Sequence, residues 1–151
     1  MAPWHMPRNT MIQLMDDVKA VPEFGRKPRI LVVEDLEDAR TMLQLLLTLS
    51  LKLPVDTAVD GADGLRMLTD SNYSVVITDL RMPKLNGMQL IAEIEKLKIP
   101  VTIIVTTGHG NQAEADEALE HGAHDFMIKP VDPGKLIAKI KRILREKIAI
   151  G

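Results

Sequence analysis

Two periodicities alternate along the chain from Arg29 onward. Short apolar runs occupy Ile30–Val33, Val75–Ile77, Val101–Val105 and Phe126–Ile128. The first three are rich in β-branched side chains, as strands buried on both faces are. A fifth segment, Val55–Val59, alternates apolar and polar residues and suits a half-exposed edge strand. Between these runs apolar residues recur at helical spacing. Ala39–Leu49 carries the stripe Ala39, Met42, Leu43, Leu46 and Leu49, and Gly87–Leu97 carries Leu90, Ile91, Ile94 and Leu97. Lys135–Ile148 carries Leu136, Ile137, Ile140, Ile143, Leu144 and Ile148, while Asp63–Thr69 and Gln112–His121 are weaker helical patterns. Asp132 and Pro133 read as the N-cap and first residue of the last helix. The order is β-α repeated five times. It predicts a three-layer α/β sandwich, with a parallel sheet, helices on both faces and right-handed crossovers.

Residues 1–28 differ from the rest, and the predicted domain covers 29–151. The extension holds Pro3, Pro7, Pro22 and Pro28 and the only Trp. Its one helical pattern is Thr10–Val21, where Met11, Leu14, Met15 and Val18 fall at i, i+3, i+4, i+7. We read it as an appendage or linker with room for one short docking helix.

Composition removes several function classes. At 151 residues, 46% hydrophobic and 26% charged, the chain is one ordinary globular domain with enough length for a core. A net charge of -2 and 3% aromatics argue against a dedicated nucleic-acid binder. Zero Cys excludes a disulfide scaffold, a thiolate zinc site and a cysteine nucleophile. Met42–Leu53 is the longest apolar stretch, but polar residues interrupt it and it is too short to span a bilayer. No secretory core follows the first Met, so the expected address is cytoplasmic, with no membrane partner.

In an open parallel sheet, ligands bind beyond the carboxyl ends of the strands. Those ends deliver Glu34 and Asp35, then Asp79, then Thr107, then Lys129. One polar residue after a strand is commonplace, being usually a cap or turn. Four strand ends with complementary chemistry are not. Two like charges about 4 Å apart repel by roughly 4 kcal/mol at an effective dielectric near 20. Clustered carboxylates are therefore costly unless a cation joins them or one protonates, and of the cations Mg²⁺ fits an all-oxygen site best. Beside it Asp79 can act as a carboxylate nucleophile toward a phosphoryl group.

The segments ILVVED at 30–35, VVITDLRMPKLNG at 75–87, VTTGHG at 105–110 and DFMIKP at 125–130 resemble the response regulator receiver domain of two-component phosphorelay signalling. The resemblance covers residues 29 to about 148. It implies a (βα)5 flavodoxin-like sandwich with strand order 2-1-3-4-5, and signalling in place of enzymatic turnover. It implies that Asp79 is the phosphoacceptor and Asp35 a direct Mg²⁺ ligand. Glu34 would act through metal-bound water, and the backbone carbonyl of Arg81 would be the third protein ligand. Thr107 resembles the switch hydroxyl, Phe126 the switch aromatic and Lys129 the phosphate-pairing lysine. The Lys129–Pro130 bond is expected to be cis. Arg81 and His109 match positions flanking the path of the hydrolytic water. The donor would be a sensor histidine kinase or phosphotransfer protein, and the output a downstream protein contact. Glu34 stands where Asp is commoner, and Phe126 where Tyr is frequent.

Two other readings compete. An aspartate-nucleophile phosphohydrolase would want a second Asp two residues after the nucleophile, where Arg81 sits, and a cap domain. A pseudo-receiver would use the same fold for binding alone. His121 and His124 read as a helix end and a turn. The fourth helix region carries Glu114, Asp116, Glu117 and Glu120 with no Lys or Arg, and the last helix carries Lys135, Lys139, Lys141, Arg142, Arg145 and Lys147 against Glu146. That complementarity could support a homodimer through helix 4, strand 5 and helix 5. With no sequence after the last helix, the expectation is a stand-alone regulator, the alternative being a piece of a longer regulator or hybrid kinase.

Overall fold

The computed structural model describes residues 27–108 and 112–150, with backbone alone for 148–150. Five strands, β1 (Ile30–Val33), β2 (Val55–Ala58), β3 (Val75–Asp79), β4 (Thr102–Thr107) and β5 (Asp125–Ile128), form one sheet in the order β2-β1-β3-β4-β5. All four pairings are parallel. The helices are α1 (Glu37–Leu51), α2 (Gly61–Asp70), α3 (Gly87–Leu97), α4 (Gln112–Glu120) and α5 (Pro133–Ile150). This is the expected flavodoxin-like sandwich. The helix expected over Thr10–Val21 lies outside the described residues.

Local chemistry explains the element ends. Asp60 caps α2 by accepting the Asp63 N–H, and Asn86 and Gln89 form a reciprocal capping box at α3, each satisfying N–H groups the helix leaves unpaired. Asp132 accepts the Lys135 N–H at 3.1 Å, with Pro133 opening α5 as expected. Lys52 and Lys98 follow α1 and α3 in the left-handed conformation, where their N–H groups return to helix carbonyls.

The sheet separates two apolar clusters. On one side Leu43, Leu47 and Leu51 of α1 and Leu136, Ile140 and Ile143 of α5 pack on Ile30, Val32, Val75, Ile77 and Ile104. On the other, Leu68 of α2, Leu90, Ile91 and Ile94 of α3 and Ala118 of α4 pack on Leu31, Val33, Val76, Ile103 and Val105. Successive strand residues thus feed opposite layers. Each fully buried Leu, Ile or Val contributes about 1.5–3 kcal/mol of transfer free energy.

Three expectations need correction. The inward stripe of α1 is not the one the sequence suggested: Met42 and Leu49 are 70% and 68% exposed, and Leu47 is the buried residue. Leu or Met recurs at seven positions from Met42 to Leu51, so apolar spacing there defines no unique face. Leu97, read as inward on α3, is half exposed, because it lies at the last turn. The fourth strand is Thr102–Thr107, longer than its apolar run, because Thr106 and Thr107 continue the ladder into the site.

Beneath the sheet, at the amino ends of the strands, Arg29 pairs with Asp56 at 2.5 Å. The Tyr73 hydroxyl donates to the same carboxylate at 2.7 Å. The Arg29 guanidinium lies 5.3 Å from the Tyr73 ring centroid, within cation–π range.

Candidate functional site

At the carboxyl end of the sheet, β1 and the turn after it carry Glu34 and Asp35, and β3 ends on Asp79. One oxygen from each of the three carboxylates lies within 4.8 Å of the others. Glu34 is 2% exposed and Asp79 9%, and Asp35 is half-buried. β4 ends on Thr107, which is buried, and Lys129 directly follows β5. Lys129 Nζ lies 2.7 Å from Asp79 Oδ2 and 2.9 Å from Glu34 Oε1. One ammonium therefore bridges two carboxylates. The Lys129–Pro130 bond is cis, as expected.

Backbone bonds hold these groups in place. The Leu80 N–H donates to Thr106 O at 3.1 Å, and the Lys129 N–H donates to Thr107 O at 2.7 Å. Asp79, Thr107 and Lys129 are thus tied strand to strand. The Arg81 N–H donates to Asp79 Oδ1 at 3.1 Å, so both Asp79 oxygens accept from fixed donors. Arg40 of α1 donates to the Glu34 carbonyl at 3.0 Å and steadies the turn carrying the acidic pair.

Gly87 closes the loop that follows Asp79. Its N–H donates to Leu80 O at 3.0 Å. A Cβ there would stand 2.3 Å from Asp79 O and 2.7 Å from Leu80 Cα. Backbone crosses backbone at a separation that only glycine allows.

The electrostatics follow from crowding. Burial is the largest effect on Glu34 and pushes its carboxyl above the usual range; Lys129 opposes this, and Asp79 and Asp35 add to it. Burial pulls the Lys129 ammonium down, but its bonds to Asp79 and Glu34 prevail and hold it above its ordinary value. Two buried polar atoms have no partner among the described residues, Glu34 Oε2 and Thr107 Oγ1. Buried polar atoms without a partner are rare in native folds, and a catalytic role or a bound ion or water is among the explanations for them.

That donor set fits a hard divalent cation. It is all oxygen, carries excess negative charge, and keeps one buried carboxylate oxygen unpaired. Among the described residues this is the only group of three or more acidic, His or Cys side chains whose ligand atoms lie close enough together to share one ion.

A family model for the response regulator receiver domain matches residues 30–141. The chain belongs to this family. The receiver is 39% identical over 123 residues to the transcriptional regulatory protein GlrR of Escherichia coli strain K12, covering 81% of this chain and 28% of GlrR. Against the transcriptional regulatory protein PrrA of Mycobacterium tuberculosis it is 33% identical over 120 residues, covering 80% of this chain and 51% of PrrA. It thus spans about half or less of these curated relatives. Among solved structures, a receiver domain protein from Clostridium thermocellum superposes with a TM-score of 0.76 at 33% identity, covering 82% of this chain and 99% of that one. FixJ-N superposes at 0.72 with 34% identity, over 78% of this chain and 94% of its own. The receiver is a phosphoacceptor signalling domain, and among its described residues no helix is long and apolar enough to cross a membrane.

Of the remaining sequence candidates, Phe126 is half-buried on β5 and packs against the α2–α3–α4 cluster. His121 follows α4, and His124 precedes β5 with its N–H on Ile103 O at 2.7 Å. His109 lies outside the described residues. Sequence reasoning missed Glu114 as part of this region. Its Oε1 accepts from Arg81 Nη2 at 2.6 Å, joining the loop after Asp79 to α4. Only the opposite charges hinted at it, and they are 33 positions apart.

Proposed function

We propose that Asp79 accepts a phosphoryl group from the phosphohistidine of a sensor histidine kinase or phosphotransfer protein, in a cytoplasmic relay. An Asp79 carboxylate oxygen attacks phosphorus, the P–N bond breaks, and its electron pair leaves with the imidazole. Little acid–base chemistry is needed, so positioning and charge neutralisation carry the step. Lys129, already 2.7 Å from Asp79, pairs with the incoming phosphoryl oxygens. The Arg81 N–H holds the carboxylate in orientation.

Asp35, Asp79 and the Arg81 carbonyl would hold Mg²⁺ directly, with Glu34 holding it through water. The bound ion would neutralise carboxylate and phosphoryl charge together. Thr107 then donates its buried hydroxyl to the phosphoryl group. Its movement inward frees space for Phe126 to turn, altering the surface of α4, β5 and α5 that a downstream protein meets. The exposed Asp116, Glu117 and Glu120 of α4 and Lys135, Lys141 and Arg145 of α5 support a second copy meeting the same surface.

The carrying observation is the bridge from one ammonium to two carboxylates beside an unpaired buried hydroxyl. The test is intact-protein mass after incubation with acetyl phosphate, with and without Mg²⁺, for wild type and Asp79→Asn. A single Mg²⁺-dependent, slowly lost adduct absent from the variant is expected. No adduct under any condition would indicate a binding-only receiver. Rapid catalytic release of phosphate would indicate a phosphohydrolase.

A further inference from the structure

Arg81 and Glu114 join the acceptor's loop to α4. Arg81 is the second residue after Asp79, and Glu114 lies in the first turn of α4. Arg81 Nη2 and Glu114 Oε1 are 2.6 Å apart, with side chains 67% and 37% exposed. An exposed ion pair contributes little to stability, so it is also exchanged at little cost. The helix it holds is lightly packed. α4 buries only Ala115 and Ala118, whereas α3 buries Leu90, Ile91 and Ile94. Elements with few buried apolar contacts shift most readily.

The same arginine stands within reach of Asp79. Its N–H donates to Asp79 Oδ1 at 3.1 Å, which puts Arg81 Cα within about 4.6 Å of that oxygen. An arginine side chain is longer than this. The guanidinium borders an open crevice of about 650 Å³ that Asp35 also lines, so it can turn without displacing any of the core. At present Lys129 Nζ and the Arg81 N–H occupy the two Asp79 oxygens, and the guanidinium bonds Glu114. A phosphoryl group on Asp79 would bring new anionic oxygens to this spot. Guanidinium groups pair with phosphate through two parallel bonds.

We propose that Glu114 is a positioning residue that competes with the phosphoryl group for Arg81. Before phosphorylation, Arg81 ties down the first turn of α4. Afterwards it turns to the phosphoryl oxygens and releases that turn. Asp79 thereby gains a second route to α4, carried by charge and separate from Thr107 and Phe126. The inference rests on the reading of Asp79 as the acceptor. Linkage makes the competition reciprocal: the factor by which the phosphoryl group weakens the Arg81–Glu114 pair is the factor by which Glu114 weakens phosphoryl binding.

The test is a double-mutant cycle on beryllofluoride, an anion that coordinates a carboxylate as a phosphoryl group does. Half-saturating concentrations are measured by amide NMR, with Mg²⁺, for wild type, Glu114→Gln, Arg81→Gln and the double variant. Both substitutions are at exposed side chains and leave the Arg81 backbone in place. Glu114→Gln should tighten binding about two- to fivefold, the range that exposed ion pairs span. In the Arg81→Gln background the same substitution should change nothing. No tightening beside Arg81 overturns the proposal. Equal tightening in both backgrounds also overturns it, since a lost carboxylate would then act only through its field. A wild type that binds no beryllofluoride overturns the acceptor reading itself, and this inference with it.

Discussion

Lys129 Nζ and Asp79 Oδ2 stand 2.7 Å apart although their residues are 50 positions apart in the chain. The contact is charge-assisted and half-buried, the class worth about 1.5–3 kcal/mol. The same ammonium gains a contact of this class with the incoming phosphoryl oxygens in the transition state, so Lys129→Met should slow phosphoryl uptake from acetyl phosphate by roughly 10–100-fold. Uptake at the wild-type rate would remove Lys129 from the chemistry.

Mg²⁺ should stabilise the fold, because the carboxylates it joins repel one another. At one hundred times its Kd, a ligand specific to the native state adds about 2.7 kcal/mol. Differential scanning calorimetry should show the midpoint rising with Mg²⁺ and falling back with a chelator. Asp35→Asn should respond far less.

Thr107→Val separates stability from signalling. It replaces a buried, unpartnered hydroxyl by a methyl group of similar size. The variant should be unchanged or more stable by about 1 kcal/mol in urea titrations. It should still take up phosphate, while losing the change in the Phe126 NMR signals that the proposed switch predicts on phosphorylation.

Gly87→Ala should damage both fold and site, since the new Cβ meets backbone at 2.3 Å. Overpacking of this kind costs about 1–3 kcal/mol, and the displaced Asp79 should lose acceptor activity. Gly134→Ala, whose Cβ would lie 3.4 Å from an Asp132 oxygen, serves as the mild control in the same denaturation series.

Tyr73, the only tyrosine, gives a readable titration. Burial first, then its bond to the Asp56 carboxylate, pushes the phenol from 10.0 up to about 12, with Arg29 pulling the other way. A pKa raised by folding means stability that is full below pH 10 and lost as pH climbs toward 12. Absorbance at the tyrosinate band should show a midpoint near 12 in the native protein and near 10 in denaturant. Tyr73→Phe should flatten the alkaline loss of stability.

The strands were legible because β1, β3 and β4 are buried on both faces, and such strands read as unbroken apolar runs. The acidic pair, Asp79, Thr107 and Lys129 were legible for a related reason. Each directly follows or closes a strand, so knowing the strands places the residues. The α1 face was not legible, since Leu and Met recur all round it and only packing selects Leu47. Nor was the Arg81–Glu114 pair, which depends on how far α4 lies from the loop after Asp79. Sequence spacing carries no such distance.

Glu34 and Lys129 meet across 95 positions of chain, and Asp79 belongs to the same cluster. No fragment short of the whole sheet brings them together, so the acceptor site has no counterpart in the unfolded chain. Phosphoryl uptake is consequently a count of folded molecules. In a denaturant series, the amplitude of adduct formation should trace the folded population directly, making the reaction its own conformational probe.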